Sequence, residues 1–230
     1  MLNKWLCIFL CCTCMSAFAE KEDRTAAAQA NARLGIAYLN KGYVAISQQR
    51  LMLAIQEDRD NPEVWYSMGY FLEKTNQPVE AGKYYRHAIS VDPHSGSAEN
   101  NYGSFLCRTG HYQEGIAEFM AAIQEKTYLD APQAYENAGI CSLMMHNHRL
   151  ALSYFYKAVG YNPNMPFSLL SIARLSHQSG DDQTAQKYFM NFALLMLHKQ
   201  SKAVVDQYHD YVFNAPMHSV AYERKALPTP

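Results

Sequence analysis

Glycine returns at a nearly fixed interval along this chain. Gly35, Gly69, Gly103 and Gly139 stand 34, 34 and 36 residues apart, and no other property limits the fold as sharply. The same neighbours recur around each glycine. Leu34-Gly35 is followed by Tyr38, Ser47, Leu51 and Ala54, and Trp65, Met68-Gly69 and Leu72 by Ala81, Tyr85, Ala88 and Pro93. Tyr102-Gly103 and Leu106 lead to Gly115, Phe119 and Ala122; Tyr135 and Ala138-Gly139 lead to Ala151, Phe155, Ala158 and Pro163. A weaker fifth copy holds Leu169, Ile172-Ala173, Ala185 and Phe189 at the same offsets. A period of this length marks a supersecondary unit that cannot bury its apolar face alone and must stack on copies of itself.

The order of residue types is the tetratricopeptide pattern: Trp or Tyr, a Leu-Gly pair, Tyr, a small residue, an aromatic, Ala and a closing Pro. Small residues let helices A and B of one repeat approach closely. The aromatic and Leu positions fill the helix face, and the Pro ends helix B. The expected fold is all-α, a tetratricopeptide-repeat superhelix of about five helix pairs. The pairs are expected near 26–58, 62–91, 96–126, 132–161 and 166–198, within repeats of about 28–61, 62–95, 96–131, 132–165 and 166–199. Turn residues mark the tips at Lys41-Gly42, Asn76-Gln77-Pro78, Thr109-Gly110, Asn147 and Ser179-Gly180-Asp181, and two extra residues near Tyr128-Leu129-Asp130 lengthen one link. From 200 to 226, Ala203, Val204, Tyr208, Tyr211 and Val212 recur at helical spacing. That segment reads as a capping helix or a decayed sixth repeat, followed by a frayed end at Leu227–Pro230.

The first nineteen residues read as an address. Lys4, the apolar run Trp5–Met15 and the ending Ser16-Ala17-Phe18-Ala19 form a secretory signal, cut most simply between Ala19 and Glu20. The apolar run is short for a bilayer span, so a retained anchor is the weaker reading. Free export is the leading reading, with lipidation on Cys14 or Cys12 the alternative, since neither cysteine stands behind a good lipobox. Either route delivers the mature chain to a compartment where disulfides persist.

Composition excludes several functions. Apolar residues make up 49% of the 230, enough for a sizeable core, and 20 basic residues against 21 acidic ones argue against non-specific nucleic-acid binding. No Gly-x-Ser-x-Gly elbow, phosphate-cradling glycine loop or Cys-x-x-Cys pair occurs, and Glu63, Glu73 and Glu80 read as solvated helix faces. His146-Asn147-His148 falls at a turn without a third ligand, which favours structural or solvated histidines over a metal site. The chain therefore reads as non-catalytic, with no metal and no cofactor.

The inner wall of such an array comes from the A helices. Ile36, Leu39, Tyr66 and Tyr70 are its expected lining in the first two repeats, with Asn100, Ser104, Arg108, Glu136 and Arg174 further along. An aromatic-lined wall suits a peptide or partner segment; packing of Tyr66 and Tyr70 between helices is the other reading. Trp65 is assigned to the core. The Lys and Asn pattern that clamps acidic peptide tails is missing, since the corresponding places hold Ala32, Tyr66 and Asn100. Cys107 and Cys141, late in consecutive A helices, are either a disulfide or two small buried thiols, with the disulfide expected in an oxidising compartment.

Repeats three and four are more specific. Asn100-Asn101-Tyr102-Gly103-Ser104-Phe105-Leu106-Cys107, Gly110-His111-Tyr112 and Tyr135-Glu136-Asn137-Ala138-Gly139-Ile140-Cys141 resemble the tetratricopeptide family for type IV pilus biogenesis and stability. The similarity runs from about residue 26 to 198. Members look like pilotins, lipoproteins that bind the pilus secretin subunit and help it assemble in the outer membrane. The resemblance thus implies a scaffold in the periplasm, attached to the inner leaflet of the outer membrane where it is lipidated. Its implied partner is the secretin, without nucleic acid, and with membrane contact only through a lipid. A different periplasmic adaptor, organising cell-wall enzymes or outer-membrane protein assembly, is the alternative. Asn101 and Asn137 occupy equivalent places and are expected to bond to nearby backbone.

Overall fold

A computed structural model of the chain describes residues 2–197 and 202–214, with side chains from residue 21 onward. The alternative lipidation sites Cys14 and Cys12 lie outside what is described of side chains, and the end at Leu227–Pro230 lies outside the described residues. The described residues form eleven α-helices and no strand. They are α1 (Leu2–Asn40), α2 (Val44–Glu57), α3 (Pro62–Lys74), α4 (Pro78–Val91), α5 (Gly96–Arg108), α6 (Tyr112–Gln124), α7 (Ala131–Met144), α8 (His148–Tyr161), α9 (Pro166–Gln178), α10 (Asp182–Leu197) and α11 (Lys202–Phe213). Odd-numbered helices from α1 to α9 are the A helices of five repeats, and even-numbered ones the B helices. The chain divides into two compact units, Met1–Phe105 and Leu106–Pro230, with the boundary inside α5. The first pair begins earlier than expected: α1 runs unbroken from Leu2, because no Gly or Pro interrupts the sequence before Gly35.

The A helices all end alike. Gly42, Asn76, Gly110, His146 and Gly180 adopt positive φ, and the next amide turns back to a carbonyl five residues earlier. These bonds run from Tyr43 to Tyr38 (2.9 Å), Gln77 to Leu72 (2.8 Å), His111 to Leu106 (2.8 Å), Asn147 to Ser142 (2.8 Å) and Asp181 to Ser176 (2.9 Å). This left-handed cap satisfies carbonyls the helix leaves open and reverses the chain into helix B. Three B helices end on another shared device. Asp58, Asp92 and Asn162 are extended, and their side chains accept from the amides of Asp60, His94 and Asn164 at 3.1, 3.0 and 3.0 Å. Asn61 then caps α3 by accepting from Glu63 N at 2.9 Å, ahead of Pro62 at the first helical position.

Each unit has its own core. In the first, Ala28 and Ala32 of α1, Leu51 and Ala54 of α2, and Val64, Met68 and Phe71 of α3 are buried together, with Ile36, Leu39, Trp65 and Tyr84 packed around them. Trp65 is half-buried, its indole N–H donating to Arg59 O at 2.8 Å and its ring meeting His87 edge-on at 4.2 Å. In the second unit, Phe119 and Ala138 gather with Cys107 and Cys141, and Phe155 and Ile172 with Leu143 and Phe167. A third cluster joins α9 and α10 to α11 through Val205, Tyr208 and Val212. The buried stripe of α11 is therefore shifted from the one expected: Ala203 is exposed, while Val204 and Tyr211 are half-buried.

Candidate protein-binding hollow

The first unit carries a hollow of about 350 Å3 on its A helices, lined by Arg33, Ile36, Glu63, Tyr66, Ser67, Tyr70 and Asn101. Helical spacing creates it. Residues 63, 66, 67 and 70 form one face of α3, residues 33 and 36 one face of α1, and α5 contributes Asn101. Arg33 Nε and Glu63 Oε1 stand 3.3 Å apart, with the Glu63 side chain only 18% exposed. Glu63 is thus part of the hollow and not the solvated face expected of it. It sits in the first turn of α3, where the helix dipole favours an anion. The Lys74 ammonium lies 5.2 Å from the centre of the Tyr70 ring, and Asn101 Nδ2 donates to Ser97 O at 2.8 Å, which holds its amide in one orientation.

Three of the expected lining residues, Ile36, Tyr66 and Tyr70, meet here. Leu39 packs against the core, Asn100 is half-buried beside the lining residue Asn101, and Arg108 is exposed at the end of α5. Sequence reasoning missed Arg33, Glu63, Ser67 and Asn101. A signal was present: 33, 67 and 101 share one repeat position, the column next to 32, 66 and 100 from which the wall was read. Ala32 in that neighbouring column is fully buried, whereas Tyr66 of the same column lines the hollow.

In the second unit, two residues expected on the inner wall are used internally. Glu136 is buried and its Oε2 accepts from Ser168 N at 3.2 Å and Ser168 Oγ at 2.7 Å, so it caps α9 from a neighbouring repeat. Arg174, 5% exposed, lies 4.0 Å over the Tyr211 ring and donates to the Tyr211 carbonyl. Both arrangements have one cause: a long charged side chain at an inward position reaches another helix and is satisfied there. Asn137 accepts from Gln133 Nε2 at 3.3 Å, and Asn147 caps α8 by accepting from Leu150 N at 3.0 Å. A disulfide joins Cys107 at the end of α5 to Cys141 of α7, with Cα atoms 5.5 Å apart.

The first-unit hollow sets Ile36 and two tyrosine rings beside one ion pair, the Ser67 hydroxyl and the Asn101 amide. Such a lining offers apolar contact together with hydrogen-bond donors and acceptors. Among the described residues, no three His, Cys, Asp or Glu side chains converge as a metal site, and no helix is long and apolar enough to cross a membrane.

Known proteins share this architecture. The type IV pilus assembly protein PilF of Pseudomonas aeruginosa is 28% identical over 172 residues, 75% of this chain and 68% of that protein. A solved structure of Pseudomonas aeruginosa PilF matches with a TM-score of 0.69 at 25% identity, covering 89% of this chain and 88% of its own. The crystal structure of PilW, a type IV pilus biogenesis factor, matches in fold with a TM-score of 0.67 at 22% identity, covering 86% and 88%. The tetratricopeptide repeat pattern itself matches residues 32–199. The chain belongs to the tetratricopeptide repeat family.

Proposed function

We propose that the chain is a non-catalytic scaffold for type IV pilus biogenesis that binds the outer-membrane secretin subunit and promotes its assembly. The observation that carries this reading is the joint likeness to PilF, in sequence over 75% of the chain and in structure over 89%. The partner surface is the hollow of Arg33, Glu63, Tyr66, Tyr70 and Asn101, whose aromatic walls and polar rim suit a segment of another polypeptide. Its place of work is the periplasm, reached through the signal-like first nineteen residues, either free or held to the outer membrane by a lipid on Cys14 or Cys12. Support for an oxidising compartment comes from the Cys107–Cys141 pairing.

Deleting the gene is expected to reduce secretin multimers and surface pili, and reintroducing the wild-type chain to restore them. Restoration by a Tyr66→Ala/Tyr70→Ala chain is expected to fail although that variant melts close to wild type, since neither side chain is fully buried. Normal multimers and twitching after deletion would overturn the pilus reading; co-purification of wall hydrolases in place of secretin would assign the scaffold to the cell wall. A double variant that melts far lower while still holding secretin would assign both tyrosines to packing.

A further inference from the structure

Glycine within a helix destabilises it relative to alanine, and four helical glycines of this chain have a visible reason for it. Gly35, Gly69, Gly82 and Gly139 lie against Leu51, Tyr85, Phe105 and Phe155, leaving little or no room for a Cβ. Gly160, in the last turn of α8, has no such reason. Its φ is not in the left-handed region, and a Cβ there would meet nothing within 4 Å. What the missing side chain leaves open is a hollow of about 620 Å3 between the B helices α8 and α10. Val159, Leu169, Leu194 and Leu195 give it apolar walls, and Asn164 and Asn191 place two amides beside them. Lys187 is the one charged residue among those lining it, and no carboxylate does. Burial first, and then the neighbouring Tyr156, hold the Tyr188 hydroxyl above its usual pKa, so that lining group enters as a neutral donor. The apolar surface continues along α10 through Met190 and Leu194, which are 60% and 56% exposed.

We propose that the α8–α10 hollow is a second docking site, separate from the A-helix hollow, for an apolar polypeptide segment that carries a carboxylate. Charge complementarity sets the carboxylate: a lone lysine among apolar walls rewards an anion and penalises a second cation. The two amides select polypeptide over lipid, because a peptide backbone bonds to Asn164 and Asn191 whereas an acyl chain leaves them unmatched. Gly160 supplies the room. The site takes a segment regardless of whether the first-unit hollow holds secretin.

Random-peptide phage display on the purified full-length chain tests this without a known ligand, with Gly160→Leu and Lys187→Glu as comparisons. Gly160→Leu fills open space with a better helix former, so its fold and melting temperature stay at or above wild type. The wild type is expected to enrich apolar sequences containing Asp or Glu. A synthetic peptide from that selection is expected to bind Gly160→Leu and Lys187→Glu roughly tenfold or more weakly, and Lys187→Glu to enrich Lys or Arg in place of the acid. No enrichment, enrichment without an acid, or equal affinity for Gly160→Leu would overturn the proposal. So would a dimer in sedimentation equilibrium that Gly160→Leu abolishes, which assigns the hollow to a second copy. Co-sedimentation with phosphatidylglycerol vesicles that Gly160→Leu abolishes would assign it to lipid.

Discussion

At the scale of single residues, two glycines that the repeat makes equivalent are held to different tolerances. A methyl group on Gly139 would stand 2.6 and 2.7 Å from Phe155 Cε1 and Cδ1, a ring with no exposed surface. A methyl on Gly69 would meet the Tyr85 ring at 3.2 Å, a few tenths of an ångström from ordinary contact. Gly139→Ala therefore forces a buried ring to move and is expected to cost about 1–3 kcal/mol. Gly69→Ala asks for a small ring shift, which the better helix propensity of alanine offsets, and is expected to stay within about 1 kcal/mol of wild type. Urea midpoints of the two variants, compared at equal slope, measure the difference; equal midpoints would mean the two sites relax alike. The periodicity shows that both positions must be small, because both recur at one offset. It does not show the ångström-scale gap between them, which depends on how each aromatic is wedged by its own neighbours.

At the scale of elements, what was legible followed from local chemistry repeated in phase. The five reversals between A and B helices could be read from Gly42, Asn76, Gly110, the Asn147 region and Gly180, since a left-handed cap needs a residue that tolerates positive φ. Unlike the Cys107–Cys141 pairing, two long side-chain reaches between repeats leave no periodic trace. Glu136 reaches Ser168 across 32 residues, and Arg174 reaches Tyr211 across 37, whereas spacing alone suggests an open wall for both. The Glu136 cap carries a prediction of its own. Ser168 is fully buried and is the third residue of α9, where a helix amide has no internal partner. Glu136→Ala removes the acceptor for both its N–H and its hydroxyl and is expected to cost about 2–3 kcal/mol. Glu136→Gln keeps an acceptor and is expected to recover part of that loss. Hydrogen exchange locates the effect: the first turn of α9 is expected to lose protection before the rest of the second unit, and uniform loss would remove Glu136 from the role of a cap.

At the scale of the whole molecule, the division into Met1–Phe105 and Leu106–Pro230 says where the disulfide should matter. Repeat arrays gain stability from each unit and from its neighbours, so a bond within one unit acts first on that unit. Cys107 and Cys141 both fall in the second, where they pack with Phe119, Ala134 and Ala138. A cross-link spanning 34 residues removes chain freedom from the unfolded state worth about 3–4 kcal/mol in the loop-entropy description. Both sulfurs are buried and flanked by small alanines, so paired serines should leave the native backbone nearly unchanged while releasing that constraint. Cys107→Ser/Cys141→Ser is therefore expected to lower exchange protection in α7 and α8 and leave α1, α2 and α3 near wild type. The wild-type chain under reducing conditions should reproduce the same pattern, because it loses the same cross-link without a change of side chain. Equal loss of protection in α1 to α3 would mean that the array unfolds as one cooperative body. In that case the disulfide stabilises the first-unit hollow as well, and the partner-binding surface depends on the redox state of a bond outside its own unit.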